Sequence, residues 1–261
     1  MKRLALIVTA ALLSMLFYGC GSLVYKTEID TDMVSVKDDM EAQELAEQLQ
    51  TDTYEETVVK VAYAEALENM IINRIFPDGR AVETFNEDDS LENNEFAVCD
   101  VDADGMDELI IRFSDTFMAG MVEMVYGYDS GTDSLMKEVS QFPALTYYDN
   151  GTMTAPISHN QGKAGRFWPY TAYKHNAETD TYEKVMFIDA WDGKIFEDGF
   201  PTEADTDGDL LVYFINPDYD NGYYSNPIDG DEYYKWSDEF FGEKIEVLFA
   251  KLTMENISLL K

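Results

Sequence analysis

Positive charge is what this sequence has least of. Lys and Arg number 18 against 52 Asp and Glu, a formal net charge of −34 at pH 7 over 261 residues. So acidic a surface repels phosphate backbones, which excludes nucleic acid as a partner and favours metal cations instead. Cysteine is almost missing: the chain has 2, Cys20 and Cys99, too few for a disulfide framework. The 2 histidines, His159 and His175, allow no HExxH pair and leave little material for a zinc site. No GxSxG, GxGxxG or phosphate-binding loop occurs. Ser134-x-x-Lys137 matches the serine–lysine pattern of beta-lactam enzymes, but its strand-turn setting marks it as chance. No apolar run reaches the roughly 20 residues that a membrane-spanning helix needs. What is present is a globular composition, with 46% hydrophobic and 13% aromatic residues, against disorder in spite of the charge. The length serves one good-sized core or two small ones.

The few cations include a pair at the start. Met1-Lys2-Arg3 precedes an apolar run from Leu4 to Phe17, then Gly19-Cys20-Gly21-Ser22. The basic end and the short apolar run read as a signal peptide. The segment around Cys20 resembles the bacterial lipobox, with Phe17 and Tyr18 bulkier than that pattern's usual residues. The resemblance implies that residues 1–19 are removed and that Cys20 is diacylated and becomes the N-terminus. Two acyl chains suffice for stable anchoring. Losing Lys2 and Arg3 makes the mature chain two units more negative still. Cys99, in Phe96-Ala-Val-Cys99, reads as a small buried hydrophobe with no basic neighbour in sequence to activate it.

After a tether over 20–37, one domain is expected over 38–261. Asp38–Gln50 is an acidic helix with a sparse apolar stripe. Thr53–Ile75 is a stronger one, with a Thr53/Glu56 capping box, a stripe of Val58, Ala62, Leu67, Ile71 and Ile75, and Pro77-Asp78-Gly79 as its stop. From residue 95 the alternation predicts strands at Phe96–Asp100, Leu109–Phe113, Met121–Tyr128, Leu135–Val139, Leu145–Tyr148, Met153–Ile157, Trp168–Lys174, Tyr182–Ile188 and Leu210–Ile215. Asn150-Gly151 is a hairpin signal. Residues 216–237 form a long Asn/Asp/Gly/Pro/Tyr loop, and Asp238–Leu252 a closing helix. The fold class is α+β, N-terminal helices and a C-terminal helix packed on an antiparallel β-meander.

One stretch carries chemistry: Asp100-Val-Asp102-Ala-Asp104-Gly105-Met106-Asp107-Glu108. Asp at positions one, three and five turns three carboxylates inward, and Gly105 permits the sharp turn. The Met106 carbonyl and Glu108 complete an oxygen shell of the kind calcium takes. An EF-hand is excluded, because position twelve is Ile111 and the flanks are strands. The stretch instead resembles the calcium loops of FG-GAP and VCBS repeats. That resemblance implies calcium, with Asp100, Asp102, Asp104, Met106 and Glu108 as ligands and Asp107 pointing away. It covers about fifteen residues and no blade repeat accompanies it, so no propeller is implied. Glu203-x-Asp205-x-Asp207-Gly208 is a fainter echo, with Leu211 where the ninth-position acid should be, and reads as a turn.

Ser158-His159-Asn160-Gln161-Gly162, with Trp168 and Tyr170, gathers amide and aromatic groups suited to a sugar or peptide. His159, Asn160, Trp168 and Tyr170 are the candidates there, against the alternative of a polar turn. His175, between Lys174 and Asn176, reads as exposed. The Tyr-rich loop 219–236 has the composition of a binding loop and equally that of tyrosines packed beneath a long loop. Together with the Asp100 loop, the run Phe142-Pro-Ala-Leu-Thr-Tyr-Tyr-Asp-Asn-Gly, Ser158-His159-Asn160-Gln161-Gly162 and Phe167-Trp168-Pro169-Tyr170 is similar to surface lipoproteins of Gram-positive gut bacteria. The similarity implies a location and no reaction. The expectation is a membrane-anchored, extracytoplasmic, non-catalytic domain that binds calcium and an extracellular glycan or peptide. Its rivals are a carboxylate-based glycan hydrolase and a structural envelope protein. A hydrolase would show displaced acids meeting in a cleft.

Overall fold

The computed structural model describes residues 56–86, 89–157, 165–195, 197–216 and 224–261. The expected signal segment, the expected tether with Cys20, the helix expected at Asp38–Gln50, and His159 and Asn160 lie outside these residues.

The first described element, α1, is helical over 56–73. It buries Val59, Tyr63, Leu67 and Met70, which share one helix face. The expected stripe is therefore rotated by about one position. Tyr63 buries a far larger side chain than the methyl group of Ala62, and its hydroxyl donates to the Asp107 carbonyl at 2.8 Å, which answers its polar end. The helix stops ahead of Pro77, where Arg74 turns left-handed with φ 56°.

The nine expected strands are present: β1 (Glu95–Cys99), β2 (Glu108–Phe113), β3 (Val122–Asp129), β4 (Ser134–Gln141), β5 (Thr146–Tyr147), β6 (Thr152–Pro156), β7 (Tyr170–Asn176), β8 (Thr181–Asp192) and β9 (Leu211–Ile215). The largest departure is β8, which runs on to Asp192. A short β10 (Ala250–Lys251) pairs with β1. The strands form two antiparallel sheets, ordered β10-β1-β2-β3-β4 and β5-β6-β7-β8-β9. The class is α+β, but with two sheets where one meander was expected.

Alternation along the strands explains the doubling. In β1 and β2, Phe96, Leu109, Ile111 and Phe113 pack with α1, whereas Ala97, Cys99 and Ile110 pack with Tyr147, Met153 and Ala155 of the second sheet. Ala172, Ile188, Ala190 and Tyr213 on the far face of that sheet pack with Tyr233 and Phe241. The order is helix, sheet, sheet, helix, because both faces of both sheets are apolar enough to need cover. Cys99 is buried as expected.

The closing helix is misplaced by the sequence reading. The helix here, α2, spans Gly230–Phe240, inside the expected loop, and Asp229 caps it by accepting from Gly230 N. Beyond Phe241 the chain is extended. Tyr148 bridges to Lys244, and Ile245, Val247 and Phe249 face the inter-sheet core while Leu248 is exposed. That period of two is a strand's, not a helix's. A short α3 (Met254–Ile257) follows. No helix among the described residues is long and apolar enough to cross a membrane.

Candidate metal centre

The turn between β1 and β2 is built by its own carboxylates. Asp100 Oδ1 accepts from Ala103 N at 2.8 Å and its Oδ2 from Gly105 N at 3.1 Å. Asp102 Oδ1 accepts from Asp104 N at 3.0 Å, and Asp104 Oδ1 from Met106 N at 2.7 Å. Gly105 sits at φ +94° with open space around it. Glycine is required there by backbone conformation and not by crowding. Glu108, almost fully buried, closes the turn by accepting from Val101 N at 2.8 Å. Asp107 does not point away: its Oδ1 accepts from Asp100 N at 3.1 Å, fastening the two ends of the turn.

Each of these carboxylates keeps lone pairs beyond the bonds it makes. One oxygen each from Asp100, Asp102 and Glu108 lies within 4.8 Å of the others. Ligands at about 2.3–2.6 Å from one calcium ion can stand no more than about 5 Å apart, so the three fit one ion. Asp104 groups instead with Asp102 and Asp180. Met106, expected to contribute its carbonyl, is carried by the same turn with its side chain exposed.

Two further side chains reach this place from outside the turn. Glu138 comes from β4 and His175 from β7, and with Asp102 they form another group within 4.8 Å. His175 is not exposed: its side chain is 6% accessible, with Nε2 2.9 Å from Asp102 Oδ2 and 3.2 Å from Asp180 Oδ1. Burial raises the carboxyls, to about 6 for Asp102, about 9 for Glu138 and about 11 for Glu108. Neighbouring acids push the same way, Asp104 on Asp102 and Asp102 on the two glutamates. Asp100 is raised as well, chiefly by burial.

No family model, curated protein or solved structure matches this chain.

The fainter acidic stretch also gathers. Asp205, Asp207 and Asp229 bring carboxylate oxygens within 4.8 Å, and Asp229, the cap of α2, stands where the local motif lacks an acid. Its Oδ2 accepts from Thr206 N at 2.9 Å and Asp207 N at 3.1 Å, so the turn is held by hydrogen bonds as expected of a turn.

The ligand candidates divide. Trp168 is 53% exposed, its indole N–H donating to the Ile157 carbonyl at 2.6 Å. Tyr170 turns under α2, its hydroxyl 3.0 Å from that of Tyr233. The described part of the Tyr-rich loop packs inward: Tyr224 donates to Asp189 at 2.7 Å, and Tyr233 stacks on Tyr213 at 4.1 Å. Two clefts lie elsewhere. One of about 460 Å³ is lined by Tyr148, Asp149, Ser237, Asp238, Phe241 and Glu243 among others. Another of about 520 Å³ includes Arg112, Tyr147, Lys244 and Phe249. Neither contains a member of the Asp102 cluster.

Proposed function

We propose that this chain is a lipid-anchored extracytoplasmic domain whose Asp100–Glu108 turn holds calcium, and that it binds an extracellular glycan or peptide without catalysing a reaction. One observation carries the calcium reading: oxygens of Asp100, Asp102 and Glu108 converge within the span of a single calcium shell. Carboxylates this close repel one another unless a cation or protons lie between them.

The non-catalytic reading rests on where the displaced carboxyls are. Asp102, Glu108 and Glu138 are buried and line neither of the two clefts described above. A groove suited to a sugar is the one at the end of α2, where the stacked rings of Tyr148 and Phe241, 4.7 Å apart, adjoin Asp149, Ser237 and Asp238. Apolar ring faces beside a few polar groups, in a volume within the usual ~300–1,000 Å³, make a small-ligand site. Trp168 supplies the exposed aromatic of the alternative face.

Calorimetric titration tests the calcium reading. Wild type should bind one calcium with a dissociation constant of about 10⁻⁴ to 10⁻³ M, as extracellular modules do, and Asp100→Ala should abolish the heat. Equal heats from both proteins would remove the turn from the account. A glycan and peptide array with wild type, Asp238→Ala and Trp168→Ala tests the ligand reading. A blank wild-type array would leave the structural rival standing.

A further inference from the structure

The pairing of β3 with β4 contains an irregularity. Val125 faces Val139 and Tyr126 faces Lys137, so Glu138 has no opposite number. It is the extra residue of a β-bulge, a device that re-aims a side chain out of the strand's alternation. Here it turns a glutamate into the core between the sheets. Glu138 is 5% exposed, and its Oε2 is buried with no hydrogen-bond partner. A buried unpartnered carboxylate oxygen is costly, and a native structure keeps one where something else answers it.

The surroundings are shaped for these side chains. A Cβ on Gly127 would come 2.7 Å from Glu138 Oε1, and one on Gly151 would come 2.6 Å from the Asp102 carbonyl and 3.6 Å from His175 Cβ. Glycine at both positions leaves the cluster its space. Asp102 divides its two oxygens. Oδ1 accepts from Asp104 N within the turn, and Oδ2 faces His175 Nε2 at 2.9 Å. Oδ2 too is buried without a well-aligned donor.

We propose that Asp102 Oδ2, Glu138 and His175 Nε2 bind a divalent transition ion of the zinc class, fastening the first sheet to the second. The chemistry of the donors selects the class. One imidazole with two carboxylates suits zinc, cobalt or manganese, whereas calcium and magnesium take oxygen alone. Ligands about 2.0–2.2 Å from a tetrahedral zinc stand roughly 3.3–3.6 Å apart, so the 2.9 Å between Asp102 and His175 needs to open by less than an ångström. Asp180, 3.2 Å from His175 Nε2, stands beside the fourth position. The cluster is enclosed, as structural zinc sites are, where catalytic ones keep an open position. This site shares Asp102 with the calcium turn, each ion taking its own oxygen, and it stands or falls without calcium.

Cobalt(II) and zinc test it on the full chain, purified in detergent and stripped with chelator. Cobalt(II) should bind with one equivalent per chain and give the strong visible bands of a four-coordinate site, and zinc should bleach them. Glu138→Gln and His175→Ala should each weaken zinc by more than the roughly 10–100-fold lost with an outer-shell partner. Both should leave the calcium titration in place, which separates this site from the turn. Glu138→Gln keeps the side chain's size and shape, so it remains informative if His175→Ala fails to fold. A cobalt spectrum that stays that of the aqueous ion, or zinc affinity unchanged in Glu138→Gln, overturns the proposal.

Discussion

Burial sets the protonation of Asp102, Glu138 and Glu108, and this fixes how the cation-free protein responds to pH. A carboxyl whose folded value is raised holds its proton in the folded chain and gives it up on unfolding. The stability it contributes is complete below the unfolded value of about 4 and is lost as pH rises toward the folded one. With Asp102 raised to about 6 and Glu138 to about 9, melting in chelator should fall from pH 5 to pH 8. Glu138→Gln should flatten that slope, which separates the local effect from the chain's overall acidity. A wild-type melting point that climbs across the interval would contradict the burial of these acids. Asp100, Asp102 and Glu108 were legible, because their spacing within one turn dictates their convergence. Glu138 was not, since a bulge leaves no trace in local sequence. His175 was misjudged from its polar neighbours Lys174 and Asn176. It shares a strand face with Tyr173, which packs into the inter-sheet core, and a period-two reading would have placed it inside.

The turns and strands show the same division between local and distant causes. The Asn150-Gly151 hairpin was readable from chemistry, and Gly151 takes φ +72° between β5 and β6. What sequence could not show is that the Asp102 carbonyl lies against it. Gly151→Ala should therefore cost about 1–3 kcal/mol from the left-handed backbone alone, with the collision added, and should weaken calcium binding as well. Urea unfolding and a calcium titration of the variant measure both; unchanged values would mean that the turn is not seated there. The stretch after α2 was misread because Phe240, Phe241, Ile245, Leu248 and Leu252 allow a helical spacing. The helix ends at Phe240 instead, with Phe241 already extended (φ −89°, ψ 145°), and Gly242 lies so close to Asp149 that a Cβ would stand 2.0 Å from Oδ1. That contact is set by β5 and is invisible from residue 242.

For the whole molecule, the sequence carried the α+β class and the strand positions, but not the division into two sheets. Strand patterns apolar on both faces say that each sheet is covered twice and do not say by what. The anchor has a test of its own. Cys20→Ser should abolish fatty-acid labelling and release the protein into the medium; retention with unchanged labelling would contradict it. We propose that a cation at the Asp100–Glu108 turn stabilises this acidic chain, and thermal melting reads it most directly. At about 1 mM free calcium and the dissociation constants of extracellular modules, linkage stabilises the fold by about 0.4–1.4 kcal/mol. For a domain of this size that is a rise of roughly 1–6 °C over chelator, with magnesium giving less. Asp102→Ala should melt in chelator no lower than wild type and should lose the rise. The account is contradicted if wild type and Asp102→Ala respond to calcium alike.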